Sequence, residues 1–295
     1  MSVKNFSVFR TCVVAFAAAA ASQAYASSST YVSLGDSLGY GVTTIEAASI
    51  PSFGDQGYAG PYATRLATQR GGDRPNVINL AIPGETSSTF FDTSVIYRAV
   101  NLNYAGSALS QSQLFTTVAA QEAALGHTID TVSISIGPDD FFALTDDPTF
   151  FTLTPYQQLS TVLATAQQLQ NNYAAILTQL RTLAPTADLI VVGDYNPYAI
   201  LPNSPLFGLA PAVVDTINQI AYGTASAFGA RYIDTASAFA GHEAEYTHIL
   251  DHAFPDENVH PTDLGYAAIA GLMVPAPGSG LFAVLGVCVV ARRRR

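Results

Sequence analysis

Five short apolar runs, each rich in β-branched or aromatic residues and each ended by a turn, are spaced along the chain with helix-length stretches between them: 31–34, 76–81, 130–137, 188–193 and 230–234. Runs of this type read as strands covered on both faces. Neighbouring strands that are separated by a crossover pair in parallel, with helices packed over the sheet. The intervening segments carry helical patterns at 61–69, 114–125, 213–228 and from Pro261 or Thr262 to Gly271, the last with Asp263 in its first turn. The clearest period is Leu159, Val162, Leu163, Ala166, Leu169, Tyr173, Ile176, Leu177 and Leu180, which predicts one amphipathic helix packed on the sheet along its length. The expected fold is α/β, with a mainly parallel sheet of about five strands in one domain.

Both ends are set apart from this body. Lys4 and Arg10 precede an apolar run at 12–21 and the small-residue site Ala24-Tyr25-Ala26, the pattern of a secretory signal over 1–26. The body of the chain is then expected as one domain over 27–273. At the other end, Pro275, Pro277 and Gly278 lead into an apolar stretch at 281–291 and then Arg292 to Arg295. That stretch is short for a permanent span, which needs about 20 residues, but long enough for membrane contact. Without these ends, six arginines face 22 acids, a formal charge of −16. Such a surface repels nucleic acid. Cys12 and Cys288 leave with the ends, so the exported body is expected to hold together without disulfides.

Three predicted strands end in glycine-containing polar turns: Gly35-Asp36-Ser37 after the first, Pro83-Gly84-Glu85 after the second, Gly137-Pro138-Asp139-Asp140 after the third. Parallel strands bring such turns to one edge, where open α/β sheets bind ligands. Acyl transfer needs a nucleophile, a base and donors aimed at the oxyanion. Ser37 can supply the first. His260, in a loop beside Pro261 with Asp256 and Glu257 just upstream, can supply the second. His242, His248 and His252, with Glu245 and Asp251, match no metal-ligand spacing, and no metal is expected. Loop aromatics including Phe90, Phe91, Phe141, Phe142, Phe150 and Phe151 can pack the loops down, line an acyl pocket or stack on sugar rings. So can Tyr195, Tyr198 and Phe207.

The chain resembles the SGNH, or GDSL-type, hydrolases. Four blocks stand in the family's order: Gly35-Asp36-Ser37-Leu38, Asn79-Leu80-Ala81-Ile82-Pro83-Gly84, Gly137-Pro138-Asp139-Asp140 and Val259-His260-Pro261. The resemblance implies a flavodoxin-like three-layer α/β/α sandwich and ester hydrolysis without a cofactor. It makes Ser37 the nucleophile and His260 the general base. The backbone N–H groups of Ser37 and Gly84 would donate to the oxyanion. Asp139 stands where the family has an asparagine donor. An ionised carboxylate only accepts hydrogen bonds, so Asp139 serves there as a neutral acid, or Asp140 marks a shifted alignment. Glu257 fills the usual position of the triad acid, with Asp256 one residue further back. The implied activity is that of an exported esterase or lipase-like enzyme; its alternatives are a carbohydrate acetylesterase and a weakly active or inactive relative that binds surface polysaccharide. The tail resembles a PEP-CTERM sorting signal, with Ala276 in the place of the usual glutamate. That implies processing by an exosortase-type protease and a place at the cell envelope or outside it.

Overall fold

A computed structural model describes residues 29–44, 51–54, 57–252 and 257–275. The expected signal segment, the C-terminal segment and Asp256 lie outside the described residues.

Five strands form one sheet: β1 (Ser29–Gly35), β2 (Asn76–Asn79), β3 (Thr128–Ser135), β4 (Asp188–Val192) and β5 (Arg231–Ile233). All four neighbour pairs are parallel, in the order β2-β1-β3-β4-β5. This is the flavodoxin-like order, whose switch point lies between β1 and β3. There the crossovers diverge, and the chain ends of both strands border one crevice.

The helices in order are α1 (Ser37–Tyr40), α2 (Ala59–Gln69), α3 (Gln111–Leu125), α4 (Pro138–Thr145) and α5 (Pro155–Leu183). They are followed by α6 (Ala210–Ala227), α7 (Thr235–Phe239), α8 (Glu243–Tyr246) and α9 (Asp263–Leu272). Alternation along the strands divides them between two faces. Val32, Leu34, Val132, Ile134, Leu189 and Val191 pack against α3, α5 and α6. Tyr31, Ile190, Val192 and Ile233 point the other way, onto α2, α7 and α9. A sheet with two apolar faces needs both covers, which accounts for the three layers.

The longest helix departs from the sequence expectation. α5 begins at Thr154 with a complete capping box to Gln157 and with Pro155 in its first turn. From Leu169 through Tyr173, Ile176, Leu177 and Leu180 its stripe is buried in the core. Its first turns are not: Leu159 is 57% and Leu163 60% exposed. The sheet is only four or five residues deep at β3–β4, so a helix of 29 residues, about 43 Å long, overhangs it. The stretch between Ser87 and Gln111, which lacks a sustained period, forms three short 3-10 turns at 89–91, 96–100 and 102–104.

Candidate active site

β1 delivers Ser37 through a tightly held turn. Gly35 has φ +111°, and a Cβ there would lie 1.7 Å from the Ser135 carbonyl oxygen of the adjacent strand. Only glycine fits. Gln111, the first residue of α3, clamps the same peptide from both sides. Its Oε1 accepts from Gly35 N at 2.6 Å and its Nε2 donates to Gly35 O at 2.9 Å. The same Nε2 reaches Glu85 Oε2 at 3.0 Å. Asp36 N donates to Ser135 O at 3.0 Å. The Asp36 carboxylate caps α1, accepting from Leu38 N and from Ser135 Oγ, each at 3.0 Å. Ser37 is therefore the first residue of α1, half-buried, in the wall of a cavity of about 330 Å³.

The turn after β2 brings Gly84 to the same cavity. Gly84 has φ +76°, and a Cβ there would crowd the Tyr97 ring at 3.2 Å. Asparagines hold the segment leading to it. Asn79 Oδ1 accepts from Ala81 N at 3.0 Å, and Asn101 Nδ2 donates to Ala81 O at 2.8 Å. Ile82 N extends the link to β1 by donating to Gly35 O at 2.9 Å.

After β3, Gly137-Pro138 opens α4, and the two following acids diverge. Asp139 faces the cavity. Asp140 turns away and accepts from Ser87 N at 2.8 Å and Ser87 Oγ at 2.7 Å. Burial pushes the Asp139 carboxyl well above the usual carboxylate range, and the negative charges of Asp36, Asp140 and Asp194 push it the same way. Asp194, after β4, lines the cavity too, and burial raises it to about 7. Asp36 is likewise raised by burial to about 7, and Glu85 to about 8. Burial and these neighbouring carboxyls together favour the protonated form of Asp139, the form that has a proton to donate.

His260 enters from the loop before α9. Its partner is Asn258, a residue that the sequence analysis did not single out. Asn258 Nδ2 donates to Thr43 O at 2.9 Å, which fixes the amide. Asn258 Oδ1 then faces His260, accepting from its backbone N at 3.1 Å and contacting Nδ1 at 2.8 Å. An amide oxygen can only accept, so the proton is assigned to Nδ1 and the lone pair to Nε2. Burial, together with nearby His248, lowers His260 to about 4, so the ring is neutral at neutral pH. Glu257 is half-buried and has no hydrogen bond to His260 among the described residues. The signal for Asn258 was local: an asparagine two residues before a histidine readily forms an Asx turn. Of the other histidines, His248 pairs with Asp251 at 2.6 Å, His127 with Glu122 at 3.2 Å and His242 with Glu245 at 3.4 Å.

The fold is thus a parallel 2-1-3-4-5 α/β sandwich, with a serine opening a helix at its switch point and a histidine beside the same cavity. The profile of the GDSL-like lipase/acylhydrolase family matches residues 33–268, and the chain belongs to that family. Among solved structures, phospholipase A1 from Streptomyces albidoflavus is similar at 19% identity and TM-score 0.52, over 81% of this chain and 94% of its own. An extracellular lipase from Streptomyces rimosus is similar at 21% identity and TM-score 0.51, over 83% and 99%. A catalytic mutant of an acetylxylan esterase from Geobacillus stearothermophilus is similar at 16% identity and TM-score 0.50, over 83% and 91%. At these identities the likeness is one of fold. No curated protein matches the chain.

Proposed function

We propose that the protein is an exported carboxylic ester hydrolase acting through an acyl-serine. What supports this reading is that Ser37, Gly84, Asp139 and His260 all line one cavity. In the first half-reaction His260 Nε2 takes the Ser37 hydroxyl proton as Oγ bonds to the ester carbonyl carbon. The negative oxygen that forms receives hydrogen bonds from Ser37 N–H, Gly84 N–H and the protonated carboxyl of Asp139. The C–O bond to the alcohol then breaks, and His260 returns the proton to the leaving oxygen. In the second half-reaction a water gives its proton to Nε2 and attacks the acyl carbon, releasing the acid and restoring Ser37. Asn258 keeps Nε2 unprotonated at the start of each half. As an amide it adds no charge to stabilise the imidazolium.

Export rests on the signal pattern at 1–26, and processing at the envelope by an exosortase-type protease rests on the pattern at 274–295. The hydrolytic reading is tested with p-nitrophenyl esters. Ser37→Ala should lose at least about 10³-fold in kcat while remaining folded by circular dichroism. Retained activity would sink the assignment.

A further inference from the structure

The cavity continues well beyond the reacting groups, and its character changes along the way. Ile217 of α6 lies directly behind the Gly137 turn: a Cβ on Gly137 would meet Ile217 Cγ2 at 3.0 Å. From Ile217 the lining follows α6 back through Val214, Val213 and Ala210 to Leu209. Eight residues of helix at 1.5 Å each give a wall of about 12 Å. Facing it on α4, beyond Asp139, are Phe141, Phe142, Leu144 and Thr145. Thr145 is the one polar side chain on these two walls past Asp139, and its hydroxyl is already spent on Phe142 O at 3.1 Å.

A sugar ring in this arm would leave most of its hydroxyls without partners, since besides Thr145 only Tyr198, packed with Ala210 and Phe142, brings a hydroxyl to it, and that is costly in a desolvated site. A hydrocarbon chain loses nothing there and gains from every methylene buried. The polar oxyanion groups sit at one end, so a chain in the arm is joined directly to the carbonyl carbon. The acyl part also stays enclosed while the alcohol leaves and water enters. An extended chain advances about 1.2 Å per bond, since three bonds span one extended residue, so 12 Å accommodates about ten bonds.

We infer that the arm between α4 and α6 is an acyl-chain pocket, and that the substrate class is esters of unbranched medium-chain acids of about eight to ten carbons rather than acetyl esters of carbohydrate. The inference rests on the hydrolytic reading of Ser37.

The test uses the full-length chain and p-nitrophenyl esters with acyl groups from acetyl to palmitoyl, beside a series of alkyl acetates. The value of kcat/KM should rise by up to about fourfold per methylene and level off near decanoyl. The ratio of decanoyl to acetyl ester activity should fall at least about tenfold in Val213→Trp, which closes the arm about 6 Å from Ile217, and less in Leu209→Trp, which closes it near its end. A preference for acetyl esters, a preference that grows with the alcohol chain, or a profile unchanged in Val213→Trp overturns the pocket while leaving a Ser37-dependent esterase standing. If no ester is turned over, the hydrolytic reading fails and the pocket is judged by calorimetry. Decanoate binding that acetate does not show, weakened in Val213→Trp, supports it; decanoate binding no tighter than acetate refutes it.

Discussion

At the scale of single residues, the site turns on a carboxyl where an amide is expected. Asp139 works as a donor only while it keeps its proton, and its surroundings favour that: it is buried and faces Asp36, Asp140 and Asp194. The sign follows directly. Because burial raises its pKa, the donating form persists to higher pH than in an ordinary carboxyl, and raising the pH removes the donor and adds a charge that opposes the oxyanion. In pH profiles of kcat/KM, the wild-type protein should therefore lose activity on the alkaline side. Asp139→Asn should keep neutral activity within about tenfold and lose that decline, while Asp139→Ala should cost about 10²- to 10³-fold in kcat. An Asn variant with an unchanged alkaline limb would place the titration elsewhere. Ser37, Gly84, Asp139 and His260 were legible in the sequence because each sits at the end of a recognisable strand or in a short motif. Gln111 was not, since it clamps Gly35 across 76 residues of chain. Asp194 was hidden for a similar reason: it ends a strand whose turn carries no motif of its own, and only the folded sheet brings it beside Asp139.

At the scale of elements, α5 separates periodicity from packing. Its heptad-like stripe is continuous in sequence, and periodicity alone predicts burial throughout. The sheet ends before the helix does, so the stripe is fully buried only from Leu169 onward, with Val162 and Ala166 packed on the core partly buried and Leu159 and Leu163 exposed. Stability should divide at the same place. Leu177→Ala removes a fully buried side chain and should cost about 2–5 kcal/mol in urea unfolding. Leu159→Ala, at an exposed position, should change stability by no more than about 0.5 kcal/mol. Equal effects would contradict the division. α4 was not foreseen as a helix. It is eight residues long, too short to show a period, yet it carries Asp139 at one end and Phe142 and Thr145 further along.

At the scale of the molecule, the order of strands was legible as a class, because alternating apolar runs and helices leave few topologies. The position of β2 outside β1 came only with the resemblance to a flavodoxin-like fold, since nothing in a four-residue strand states which edge it joins. Gathering acids at the sheet edge also affects the whole fold. Asp36 and Asp194 titrate near 7 and Glu85 near 8, whereas unfolded carboxyls titrate near about 4. Between these values the native state holds more protons than the unfolded chain, so stability falls as pH rises. His260, lowered to about 4, acts oppositely below about pH 6.5, but it is one group against three. The melting temperature should therefore be higher at pH 6 than at pH 8.5, and Glu85→Gln should lessen the difference. A melting temperature that rises over this interval would contradict the protonation states assigned to the cavity.

The central claim is that Ser37 carries the acyl group. It is tested most directly by quenching the protein in acid during turnover of a p-nitrophenyl ester and locating the adduct by peptide mass spectrometry. The account predicts an added acyl mass on the peptide containing Ser37, absent from Ser37→Ala. Turnover with the acyl group on another residue, or undiminished turnover in Ser37→Ala, would contradict it.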